Sequence, residues 1–195
     1  SLYLATEEGI ITGYLQDNLK DFNQWRRFGA ADGMPESVAK VILPSSSGLL
    51  AAFDTQGVFE FNGTVWENKN LLLNRTFLSG SSDQGNHLLV TDSVVYQYMS
   101  NTLDSLNYEL IISPRAAIYF GSEVVIGDFE NGLLFPENQT SFYPNGPLSN
   151  EIVRLFGYED KLVALPPAYD SNFNPLRKKA GYFIHEDGQW FNYNS

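Results

Sequence analysis

Gly57-Val58-Phe59-Glu60-Phe61-Asn62-Gly63-Thr64-Val65-Trp66 reads as a strand, a turn and a second strand closed by an aromatic residue. Val58, Phe59 and Phe61 alternate with polar or small neighbours at the period of two that belongs to β structure. The Asn62-Gly63 pair predicts a two-residue type I′ hairpin turn, because both central positions of that turn need positive φ. Variants of this stretch recur along the chain, so the sequence is first of all that of a repeat protein.

Taking the residue before each apolar pair as an anchor, the copies start at Gly9, Gly57, Ser93, Gly132 and Gly181, at spacings of 48, 36, 39 and 49 residues. Periods of this size holding four short strands mark propeller blades, whereas a helical solenoid would show a 3.6-residue pattern, which is missing. An aromatic residue closes most units about ten positions on: Trp66, Phe142 and Trp190 directly, and Trp25 after a longer loop. The third unit, with Leu103 or Leu106 there, is the weakest copy. Two strands precede each later anchor, as in Val38 to Leu43 with Leu49 to Phe53, and the small pairs Ala51-Ala52 and Ala116-Ala117 suit positions where blades converge.

The first unit starts at its second strand, since Leu2 to Thr6 aligns with Leu49 to Phe53, and the residues after Phe191 only complete a last outer strand. The expected fold is therefore all-β: a single β-propeller region over 1–195, a fragment with four complete four-stranded antiparallel blades and one partial blade. The units fall at about 1–37, 38–75, 76–114, 115–150 and 151–195. A terminal blade would expose an apolar face, which calls for a longer parent propeller, a tight five-bladed closure or a dimer.

Composition narrows the partners. Acidic residues outnumber basic ones 23 to 12, for a net charge of -11 and a pI near 4.5, which argues against nucleic acid or an anionic membrane as a partner of the whole surface. An anionic partner needs a local basic patch. No apolar run is long enough to span a membrane, residues 1–8 lack the pattern of a signal peptide, and the absence of cysteine removes disulfides, thiolate metal sites and a Cys nucleophile. An enzyme is not expected, nor a cofactor or a metal. His87 and His185 are the neutral-pH bases on offer and read as surface histidines; the Glu7-Glu8 and Glu159-Asp160 pairs read as solvated turns, and Arg26-Arg27 as an exposed outer-strand pair.

Two linkers, residues 29–38 (Gly-Ala-Ala-Asp-Gly-Met-Pro-Glu-Ser-Val) and 145–152 (Asn-Gly-Pro-Leu-Ser-Asn-Glu-Ile), resemble the Gly-Leu-Pro-Ser-Asn turn of the two-component-regulator propeller repeat. Glycine takes the turn, proline sets φ, and Ser or Asn caps the backbone before the next strand. The order that follows, through Leu155-Phe156-Gly157, Lys161-Leu162-Val163, a Pro-rich insertion, Arg177 to Tyr182 and Asp187-Gly188-Gln189-Trp190, is similar to the N-terminal propeller of the PorZ family of the type IX secretion system of Bacteroidota. That resemblance implies an exported, outer-membrane-associated surface protein of seven-bladed propellers, non-enzymatic, engaging anionic lipopolysaccharide and secretion-complex proteins. The competing reading is the periplasmic sensor propeller of a hybrid two-component receptor, whose repeats share the turn.

The insertion from Pro166 to Ala180 is the candidate site, with 15 residues where the second unit has three. By strand alternation it shares a rim with the Gly-Pro linkers, and long loops on a rigid scaffold carry recognition. Tyr169 and Phe173 offer aromatic faces to sugar rings, and Arg177, Lys178 and Lys179 offer cations to the carboxylates or phosphates of an anionic glycan. The plainer alternative is an ordered crossover whose Tyr169 and Phe173 pack on the rim beside a solvated basic run.

Overall fold

The computed structural model describes residues 1–143, 145–147, 151–170, 172–176 and 181–193. The chain divides into two compact units, Ser1–Tyr143 and Pro144–Ser195. In the first unit, β1 (Leu2–Thr6), β2 (Gly9–Gly13) and β3 (Arg26–Arg27) form a three-stranded sheet. Three four-stranded sheets follow: β4 (Ala39–Ser45), β5 (Gly48–Phe53), β6 (Gly57–Phe61) and β7 (Trp66–Asn68); β8 (Phe77–Asp83), β9 (Asn86–Thr91), β10 (Val95–Met99) and β11 (Thr102–Ser105); and β12 (Pro114–Phe120), β13 (Glu123–Asp128), β14 (Gly132–Phe135) and β15 (Thr140–Phe142). The second unit is one further sheet, β16 (Arg154–Tyr158), β17 (Lys161–Leu165), β18 (Tyr182–Glu186) and β19 (Gln189–Tyr193). Every sheet is an antiparallel meander in chain order, so the chain is an all-β propeller fragment of four complete blades and one partial blade.

The second and third sheets are buried on both faces, and successive residues of one strand serve different neighbours. Ala51 and Phe53 of β5 join Ile10, Phe28, Phe61 and Trp66 in a core against the first sheet, while Leu50 and Ala52 pack with Val41, Val58 and Leu89 against the third. A third core, with Leu88, Val90, Tyr108, Ile126 and Leu134, lies between the third and fourth sheets. This double burial explains why β5 is a nearly continuous apolar run instead of alternating with polar residues. A register shift near the start of β4, β8 and β12, between Ala39 and Val41, Phe77 and Ser79, and Pro114 and Ala116, turns the residues after it toward the opposite neighbour. Asp128, buried at the end of β13, closes its corner by accepting from the N–H groups of Ile112, Ser113, Glu130 and Asn131 at 2.8–3.0 Å.

Two details differ from the sequence reading. Asn62 and Gly63 do not form a two-residue turn: Phe61 pairs with Trp66, which leaves the four-residue loop 62–65. Gly63 has a φ of 97, and Asn62 Oδ1 accepts from the N–H groups of Thr64 and Val65 at 3.0 and 3.1 Å. The longer loop places Trp66, not Thr64, beside Phe61, with ring centroids 5.0 Å apart inside the core, so burial of the indole sets the register. Turns with two positive φ values occur instead at Gln84-Gly85, Ser100-Asn101 and Asp187-Gly188. The outer strand of the first sheet is the exposed pair Arg26–Arg27, as the sequence reading expected, and the indole of Trp25 just before it donates to the Leu19 carbonyl at 3.0 Å inside the longer loop. His87 is not at the surface. It is 2% exposed and stacked on Tyr98 at 6.0 Å, because on β9, whose alternate residues are buried in different blade interfaces, no residue between Asn86 and Thr91 points to water.

Candidate binding groove

The site is built on the second unit. Residues 166–181 cross from β17 to β18, and the first half of the crossover is a small hairpin of its own, with Tyr169 bridged to Pro175. Asp170 organises it. Its backbone N–H donates to the Asn174 carbonyl at 3.0 Å, and its carboxylate accepts from the N–H groups of Asn172 and Asn174, both at 2.8 Å, and from Asn174 Nδ2 at 3.0 Å. The side-chain bond from Asn174, reinforced by the two backbone donors, holds this carboxyl below its ordinary value of 3.8. A further bond from Leu176 N–H to the Ala168 carbonyl, at 2.9 Å, closes the base, and Phe173 takes a positive φ of 61 at the tip. Proline at 166, 167 and 175 restricts φ at both ends of the hairpin.

Between this hairpin and the start of β16 lies an open groove of roughly 730 Å³, lined by Val153, Arg154, Leu165, Pro166, Pro167, Ala168, Tyr169, Asp170 and Phe173. Tyr169 is 58% exposed and Phe173 86%, so neither ring is packed away. The structure brings together two of the sequence-read site residues, Tyr169 and Phe173; Arg177, Lys178 and Lys179 lie outside the described residues. Sequence reading missed Arg154 and Asp170. Arg154 comes from a strand twelve residues before Pro166, and its register partner is Leu165, with the Val153 N–H bonded to the Leu165 carbonyl at 3.0 Å. The β16–β17 hairpin was visible in the sequence, and carrying its register one pair further would have led to Arg154. Asp170 carried a signal too, as an Asp followed at two and four residues by Asn within a turn-rich run.

Chemically the groove joins aromatic and proline surfaces to one guanidinium and one carboxylate. Those are tools for stacking on a ring and pairing with an anion. The two histidines are placed elsewhere: His87 in the blade interface, and His185 in β18 against Trp190 with centroids 5.3 Å apart. Nearby, Asn145 binds the outer strand like an extra strand partner, accepting from Trp190 N–H at 2.5 Å and donating to the Trp190 carbonyl at 3.2 Å.

The fold is that of a β-propeller fragment, and one of its crossovers walls an open groove. Among solved structures, one similar to it is PorZ, an essential surface component of the type IX secretion system of Porphyromonas gingivalis, with a TM-score of 0.65 and 15% identity over 98% of this chain and 26% of that one. Two extracellular domains assigned to hybrid two-component systems of B. thetaiotaomicron are also similar: BT3049, with a TM-score of 0.55 and 13% identity over 98% of this chain and 32% of that one, and BT4673, with 0.54 and 13% over 99% and 26%. The chain thus spans between a quarter and a third of the length of these proteins, and what it shares with them is the fold. No protein-family model and no curated protein sequence matches it. Among the described residues no helix is long and apolar enough to cross a membrane.

Proposed function

We propose that the chain is a non-enzymatic binding and assembly module, exported and acting at the cell surface, that engages an anionic glycan such as lipopolysaccharide together with partner proteins of a secretion complex. The observation that carries this reading is the groove of the second unit, where Tyr169 and Phe173 stand exposed on a hairpin fixed by Asp170. The likeness to PorZ supports the surface setting, as does the extracellular placement of the other two neighbours. The test is calorimetric titration of the purified chain with lipopolysaccharide and with acidic polysaccharide. Binding is expected, and Arg177, Lys178 and Lys179 changed together to Ala should abolish it; a parent chain that binds neither removes the glycan site.

A second reading is supported by BT3049 and BT4673: the ligand-sensing propeller of a hybrid two-component receptor that recognises an oligosaccharide. The full-length gene separates the two, since a receptor carries a membrane span and a kinase domain in the same chain. Finding them would replace the secretion reading.

A further inference from the structure

We infer that the groove is a uronate site, in which Arg154 pairs with the ring carboxylate of an acidic sugar while Tyr169 and Phe173 hold the faces of the ring. This rests on the glycan-binding reading above and names its ligand class and its specificity-determining residue.

Arg154 is the first residue of β16, and its backbone is held in the ladder opposite Leu165. Its guanidinium is therefore launched from the sheet and not from the insertion. It is exposed, lines the groove, and has no ion pair or hydrogen bond among the described residues. Arg26, Arg27 and Arg115 are by contrast engaged, with Asp32, with Glu8, and with Ser113 and the Phe129 ring. An uncommitted guanidinium beside an open groove is ready to form the planar, two-bonded pair that a carboxylate accepts.

Asp170 sets the charge that the groove tolerates. Its three hydrogen bonds keep it ionised, so the described lining carries one positive and one negative group. A singly charged carboxylate answers Arg154 alone; a doubly charged phosphate monoester would bring its second charge against Asp170. The walls suit a sugar as well, because Tyr169, Phe173, Pro166 and Pro167 present apolar surface to the C–H faces of a pyranose ring. The volume falls in the range that encloses small ligands.

The experiment titrates the whole chain with oligogalacturonate, its methyl ester, and the same oligosaccharide length carrying phosphate monoesters. Parent, Arg154→Ala, Arg154→Lys and the triple alanine variant at 177–179 are compared after circular dichroism has established that each is folded. Oligogalacturonate is expected to bind, esterification and Arg154→Ala are each expected to weaken it about tenfold or more, and Arg154→Lys to recover only part of the loss, as befits a lost charge-assisted pair. Binding that survives Arg154→Ala but not the triple variant overturns the uronate site and leaves the glycan reading standing. Phosphate monoesters bound more tightly than the uronate overturn it too. A parent that binds no acidic glycan at all removes both.

Discussion

Ser81 Oγ donates to the Ala117 carbonyl at 2.7 Å, from β8 in one blade to β12 in the next. Ser79 does the same to Arg115 at 2.8 Å, and Gly80 between them faces the opposite neighbour, where a Cβ would lie 2.5 Å from Val41 Cγ1 and 3.4 Å from Leu43 Cδ1. Small residues in β8 thus let three inner strands approach one another, with serine hydroxyls tying one side and bare glycine filling the other. Close approach of this kind leaves little room for relaxation.

Gly80→Val should therefore lower stability by about 1–3 kcal/mol through overpacking against Val41 and the Leu88 carbonyl, and Ser81→Ala by about 1 kcal/mol through the lost bond. The midpoint of urea unfolding reads both. A Gly80→Val midpoint equal to the parent's would mean that the inner strands separate more readily than their contacts imply.

His87 is expected to make the stability of the first unit fall in mild acid. Burial pushes its pKa below the ordinary 6.5, and the nearby Glu60 carboxylate offsets this only in part, because Lys69 at 3.0 Å and the hydroxyls of Ser45 and Ser47 already bind that carboxylate. Tyr98 and Ser82 are its ladder partners, and neither supplies an acceptor to its buried Nδ1. The unfolded chain takes up a proton at this side chain before the folded chain does, so the stability that neutral His87 contributes is complete above pH 6.5 and declines as pH falls from there toward the lowered folded value. Glu60, held below 4.5 by its hydrogen bonds against the opposing effect of burial, loses its contribution only at lower pH. Unfolding midpoints measured from pH 7.5 to 5 should fall with pH in the parent and flatten in His87→Phe. Equal slopes would show that another group sets the acid response.

Asp170 holds the groove hairpin without contributing to the blade core. Asp170→Ala should leave the thermal unfolding of the chain close to the parent's while raising amide exchange at Asn172 and Asn174 and weakening glycan binding. Because its carboxyl is held below 3.8, the hairpin bonds persist through the neutral and mildly acid range and are lost only as pH falls past that value. Exchange at Asn174 that does not change in Asp170→Ala would show that the prolines, and not the carboxylate, keep the hairpin closed.

The blade pattern was legible because its signals are local. Alternation within strands, Gly at the anchors, and the Gly-Pro linkers each act over a few residues, and together they are enough to read four complete blades, a first sheet without an inner strand, and the departure of the 166–180 crossover from the common length. The candidate rings Tyr169 and Phe173 were legible for the same reason, as exposed aromatics in an oversized loop. Less visible were residues whose roles come from other strands. Arg154 reaches the groove only through the register of β16 on β17, and Asp128 meets the N–H groups of Ile112 and Ser113 across sixteen and fifteen residues of chain.

By itself, then, the sequence determined the class of the fold, the order of the strands and the loop that stands out, since short-range alternation and turn chemistry are written residue by residue. Tertiary structure decided the register at Phe61 and Trp66, the burial of His87 and the placement of Arg154 in the lining of the groove beside Tyr169 and Phe173. Each of these depends on which surfaces meet when blades and hairpins pack, and burial of an indole or an imidazole outweighs the local preference of a dipeptide such as Asn62-Gly63.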